Sequence, residues 1–167
     1  MLPVRRSTIR LRGFDYTQTG VYFVTLCLQD RLPLFGRCMD EKVGLTAIGE
    51  IAHEEWRRSS EVRKEVTLDT WILMPDHLHG IVSISADRRE RGIDGRSRSP
   101  YAKSLGSFVA GFKASTTRRL RDQHLHPGCN LWQRGYYERI IRNDDELHGF
   151  RKYISENPAR WASKHQS

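Results

Sequence analysis

The stretch WILMPDHLHGIVSIS, residues 71–85, holds a proline–aspartate pair between two apolar runs. Pro75 and Asp76 suit a tight turn, because proline presets φ and aspartate bonds back to nearby backbone. The run before them, VTLDTWILM at 66–74, is rich in β-branched and aromatic residues; HLHGIVSIS at 77–85 alternates. The two read as antiparallel strands. In a strand, residues i and i+2 face the same side. His77 and His79 therefore face one spot, while Leu78 points the other way, into a core. Two imidazoles one pleat apart can reach one divalent ion. They can equally be a partly exposed pair at the start of a strand, and the HxH spacing alone does not decide.

Working outward, VYFVTLCLQ at 21–29 reads as a buried strand, followed by a turn-rich segment around Pro33 and Gly36. Leu45, Ile48, Ala52 and Trp56 have helical spacing, with Thr46 as the cap and Glu50 near the start. Residues 86–100, ADRRERGIDGRSRSP, form a basic, glycine-containing loop with no large apolar residue except Ile93. Leu105, Phe108, Val109, Phe112 and Leu120 make the buried stripe of a second helix. LWQRGYYERIIR at 131–142 is a short strand or extended segment. Asn143 then caps a last helix, with acids in its first turn and Leu147, Phe150 and Ile154 as its stripe. The order is strand, helix, strand, strand, helix, strand, helix. It predicts one α+β domain over 1–167, with a ferredoxin-like antiparallel sheet and helices packed on one face.

The 167 residues carry 28 Lys and Arg against 20 acids, a net charge of +8, and most of the cations are arginine. Nucleic acid is the natural polyanion for such a surface. No apolar run approaches the ~20 residues of a membrane span, and the first residues lack a secretory apolar core. A cytoplasmic protein is expected. Cys27, Cys38 and Cys129 are scattered and form no CxxC pair, so neither a disulfide framework nor a thiolate metal site is indicated.

The closing helix adds reactive groups. Tyr153 and Asn157 are four residues apart and would lie on one helix face, with Gly149 a turn earlier leaving a gap beside the phenol. Asn157 precedes Pro158, so it can also end one helix and start the next. Its amide oxygen is a hard ligand suited to Mg²⁺ or Mn²⁺. Two imidazoles, an amide and a phenol beside a basic surface suggest phosphoryl transfer. A metal would polarise the phosphate, and the phenol would form a covalent phosphotyrosine.

These residues resemble a known family. HLH at 77–79 looks like the HUH motif (histidine, hydrophobic, histidine) of single-tyrosine transposases. YFVTLCLQDRLPLFG, WILMPDHLHGIV, FKASTTRRL, WQRGYYERIIRN and YISENPARW look like successive blocks of the REP-associated tyrosine transposases, in that family's order, over about residues 10–161. The resemblance implies a ferredoxin-like fold, Mg²⁺ or Mn²⁺, and cleavage and joining of single-stranded DNA near a hairpin. It implies that His77, His79 and Asn157 are metal ligands. It makes Tyr153 the nucleophile that takes the 5′-phosphate and frees a 3′-OH. The family includes monomers and homodimers. The Arg-rich stretch at 86–100 departs from its blocks.

Lys113, Arg118, Arg119, Arg134, Arg139 and Arg142 are candidate phosphate contacts, and Trp132, Tyr136 and Tyr137 candidate base-stacking rings. The competing expectation is a non-enzymatic hairpin-binding module, for which basic and aromatic residues on a sheet suffice. It gives Tyr153 and Asn157 no reason to share a face. A rolling-circle initiator or relaxase uses similar chemistry but usually needs more domains than 167 residues provide.

Overall fold

The computed structural model describes residues 19–39, 42–85 and 104–165, so the Arg-rich segment at 86–100 lies outside the described residues. The elements in chain order are β1 (Gly20–Cys27), a 3₁₀ turn (Gln29–Arg31), β2 (Gly36–Met39), β3 (Lys42–Leu45), α1 (Ala47–Val62), β4 (Val66–Met74) and β5 (His77–Ile84). Then follow α2 (Leu105–Asp122), β6 (Tyr137–Ile141), α3 (Asp144–Ser155) and α4 (Asn157–His165). Four strands form one sheet in the order β4-β5-β1-β6, with every neighbouring pair antiparallel. With the β2–β3 hairpin set aside, the path is strand, helix, strand, strand, helix, strand. That is the expected α+β, ferredoxin-like arrangement. No helix among the described residues is long and apolar enough to cross a membrane.

The pleat of β1 divides the core in two. Tyr22, Val24 and Leu26 are fully buried in a large cluster with Trp56 of α1 and Phe108 and Phe112 of α2. Phe23 faces the other side and packs with Ile81, Ile141 and Ile154. The sequence reading placed the helices on one face. The two long helices do cover one face, while α3 lies on the other. The reason is in VYFVTLC itself, which is apolar on both sides of the pleat and needs cover on both. His77, His79 and Ile81 share the α3 face, and Leu78 joins the large cluster.

Local signals explain most boundaries. Thr46 Oγ1 accepts from Gly49 N at 3.1 Å and donates to the Leu34 carbonyl at 2.6 Å, starting α1. Asn143 Oδ1 accepts from Glu146 N at 2.8 Å, and Glu146 Oε2 accepts from Arg142 N at 3.0 Å, so cap and third residue satisfy orphan amides together. The β2–β3 hairpin was not expected. Its strands are four residues each, with only Gly36 buried, and one of their supports is remote: Cys38 Sγ lies 3.4 Å from the Pro158 carbonyl.

Two glycines allow close packing. A Cβ on Gly80 would lie 2.7 Å from Cζ2 of the fully buried Trp56, so the residue after the histidines lets that indole press on β5. A Cβ on Gly49 would lie 2.0 Å from the Phe35 carbonyl oxygen, which accepts from Thr46 N at 2.9 Å and cannot swing aside. Helix propensity alone favours alanine there by about 1 kcal/mol. Overpacking against fixed backbone costs about 1–3 kcal/mol and should prevail. Gly49→Ala is expected to lower unfolding free energy in a urea titration, whereas an exposed helical glycine would gain from the same change.

Candidate active site

His77 opens β5 and sits opposite Cys27; His79 sits opposite Thr25. They are 5% and 6% exposed, which excludes a surface pair. His77 Nδ1 lies 2.5 Å from Asp76 Oδ1, and Arg31 Nε holds the other carboxylate oxygen at 2.8 Å. An ionised carboxylate only accepts, so Nδ1–H donates and a neutral His77 ring presents a bare lone pair at Nε2. Asp76, read from the sequence as a turn residue, thus also orients an imidazole.

His79 Nδ1 lies 2.8 Å from Thr25 Oγ1, and the two Nε2 atoms are 3.0 Å apart. If His79 Nδ1–H donates to Thr25, two lone pairs face each other and call for a cation between them. If Thr25 donates instead, His79 Nε2–H bridges to His77. In both cases the two Nε2 atoms address one point. The 3.0 Å spacing is that of a hydrogen bond, and two imidazole nitrogens sharing one divalent ion would stand about as close. Burial first, then His77 and Arg31, push His79 down to about 3. The ring stays neutral, the form that ligates metal.

Asn157 is the first residue of α4 and is buried. It lines a cavity of about 460 Å³ together with both histidines, Tyr153, Arg160 and Lys164. Among the described residues no group of three His, Cys, Asp or Glu side chains could hold a metal, and the Asn157 amide is one further oxygen donor available in the histidines' cavity. Tyr153 and Asn157 are not on one continuous helix: α3 ends at Ser155, Glu156 is its C-cap and α4 begins at Asn157. The Asn-Pro signal marks that junction, and the two side chains still share the cavity.

The Tyr153 ring stands 5.3 Å from the His79 ring at 69°, and 5.9 Å from Phe23 at 80°. The Arg160 guanidinium lies 5.6 Å from the tyrosine centroid. Trp161 is 5.7 Å from His77. Both follow Asn157 by about one helical turn, a spacing that could have flagged them. Thr25 becomes visible only through strand register. Two residues before Tyr153, Arg151 grips Asp69 of β4 through Nε at 3.0 Å and Nη2 at 2.6 Å. That pairing holds Asp69 down at about 2 and ties α3 to the sheet beside the phenol.

Four of the expected DNA contacts are engaged inside the fold. Lys113 Nζ donates to the Gln133 and Gly135 carbonyls at 2.9 and 2.6 Å, and burial lowers it to about 8. Arg119 pairs with Glu54 and Glu55. Trp132 packs against Phe35 and Phe112 with centroids 5.5 and 5.4 Å away. Tyr136 packs against the large core cluster. Arg118, Arg134, Tyr137, Arg139 and Arg142 are exposed. Of these, Arg139 reaches Glu146 at 3.3 Å.

No protein-family model matches the chain. A Haemophilus influenzae protein described only as "Uncharacterized protein" is 30% identical over 168 residues, covering 93% of this chain and 89% of that one. A second, named "Putative REP-associated tyrosine transposase" from the same organism, is 25% identical over 146 residues, covering 87% and 74%. A solved REP-associated tyrosine transposase bound to a REP hairpin superposes with a TM-score of 0.63 at 18% identity, covering 91% of this chain and 74% of that one. A transposase-like protein of Deinococcus radiodurans gives a TM-score of 0.50 at 17% identity, covering 89% and 96%. The named relative, the shared fold and the ordered blocks around His77, His79 and Tyr153 point the same way: the chain is similar to the REP-associated tyrosine transposases.

Proposed function

We propose that this chain is a DNA transposase that cuts and rejoins single-stranded DNA beside hairpins, using Mg²⁺ or Mn²⁺ held by His77, His79 and Asn157. One observation carries the reading: the Tyr153 ring stands 5.3 Å from the His79 ring, in the cavity that His77 and Asn157 also line. The hairpin part is supported by the similar protein solved with a REP hairpin. A module that only binds DNA has no use for a phenol beside two converging imidazoles.

A bound divalent ion would polarise the scissile phosphate and offset the charge that develops on it. The chain's own residues do the rest. Asp76 and Thr25 fix the two rings, so that Nε2 of each points inward. Tyr153 Oη attacks phosphorus and loses its proton; the Oη–P bond forms as the P–O3′ bond breaks, and the leaving oxygen is protonated to a 3′-OH. The phosphotyrosine keeps the energy of a phosphodiester, so a 3′-OH can attack it and release the phenol. Arg160 and Lys164 line the same cavity and supply positive charge for the phosphate. Arg118, Arg134 and Arg142 remain as backbone contacts further out. Losing one should lower the salt slope of binding by about one unit.

Incubated with labelled hairpin DNA and Mn²⁺, the protein should yield a covalent protein–DNA band on a denaturing gel. Tyr153→Phe should abolish the band while hairpin affinity stays within about twofold. A band persisting in that variant, or none from the wild type, would sink the assignment. Asp76→Ala should weaken Mn²⁺ binding by about 10–100-fold, read by calorimetry, because His77 loses the acceptor that sets its tautomer. Unchanged affinity would place the metal elsewhere.

A further inference from the structure

A second cavity, of about 500 Å³, adjoins the first, and Thr25, His79 and Tyr153 line both. Its aromatic walls have a defined arrangement. The rings of Tyr137 and Tyr153 stand nearly upright on Phe23, at 70° and 80°, with centroids 6.3 and 5.9 Å from it. Phe150 lies flat against Phe23 at 4.5 Å and 19°. Arg139 and Glu146 also line the cavity, 3.3 Å apart. Gly149 leaves it open, since a Cβ there would meet nothing within 4 Å. Tyr137 is 50% exposed, so its ring is reachable from outside the cavity.

Upright aromatic walls, a guanidinium and a carboxylate make a slot for a flat, polar-edged ring. Any base offers a π-face to aromatic walls, and arginine donors and a glutamate acceptor can address a base edge. A base stacked within a duplex cannot enter such a slot, so the occupant is unpaired. Because Tyr153 is a wall of both cavities, a strand whose phosphate meets the phenol brings a flanking base to this one.

We propose that this cavity binds an unpaired nucleobase next to the phosphate that Tyr153 receives. The proposal rests on the strand-transfer reading above and names a specificity site for it. The chemistry needed is a single unstacked base, and the rim pair Arg139–Glu146 sets which base edge is preferred.

The test uses the full chain and fluorescein-labelled DNA hairpins with unpaired flanks, each with an abasic site at one flank position, read by anisotropy. For the wild type, one position should lose about tenfold in affinity when abasic. Gly149→Leu, which places a side chain into open space on an exposed helical turn, should bind the intact hairpin as weakly as the abasic one and show no further abasic loss. Tyr137→Ala should behave the same way, and thermal denaturation of both variants reports folding. A wild type indifferent to every abasic position, or a Gly149→Leu protein that keeps the tenfold difference, overturns the slot. So does a sensitive position that is not adjacent to the phosphate joined to Tyr153, mapped from the adduct with Mn²⁺. Abasic sensitivity with no adduct overturns the strand-transfer reading and leaves base binding at the slot.

Discussion

The approach of His77 Nε2 to His79 Nε2, at 3.0 Å inside the protein, is the constraint around which the site is arranged. Two buried imidazoles cannot be brought so close by chance without a proton or an ion between them. Their far nitrogens are each held, by Asp76 and by Thr25, so neither ring is free to turn away. The pleat of β5 aims both rings at the α3 side, and the same pleat sends Leu78 into the large core cluster. The strand is therefore fixed from behind by packing and left polar in front.

The place of Tyr153 follows from that frame. Ile154 is the single fully buried residue of α3, so apolar contact alone holds this helix shallowly. The two-pronged Arg151–Asp69 pair adds direction, and Phe23 stands under Tyr153, Tyr137 and Phe150 at once. The break at Glu156 then turns the chain so that Asn157 begins a new helix inside the cavity of the histidines. Phenol, amide and imidazoles thus come from three elements, with the sheet as common reference.

Much of this is legible in the residues. Alternation in 77–85, the Pro75–Asp76 turn, Thr46 and Asn143 as caps, and the apolar stripes of α1, α2 and α3 are local signals and match the fold. The β2–β3 hairpin is not, because its strands are short, have only Gly36 buried and are held partly by α4. Placement of α3 on the opposite face depends on the two-sided apolarity of β1, which periodicity in α3 cannot reveal. Charge was also a poor guide to contacts. Lys113 and Arg119 look like phosphate grips in the sequence, yet their partners are backbone carbonyls and glutamates far away in the chain. The quartet His77, His79, Tyr153 and Asn157 stood out by strand and helix spacing, and the family resemblance supplied the role expected of each. Of the residues that complete its surroundings, Arg160 and Trp161 stand one helical turn after Asn157 in the sequence, whereas Thr25 appears only once strand register is known.

The central claim is that the two imidazoles and the Asn157 amide share one divalent ion. Crystals grown with Mn²⁺ and measured at the manganese edge test it directly. The account predicts one anomalous peak about 2.1 Å from Nε2 of His77, Nε2 of His79 and the Asn157 side-chain oxygen. A peak at some other place, or none at saturating Mn²⁺, would contradict it.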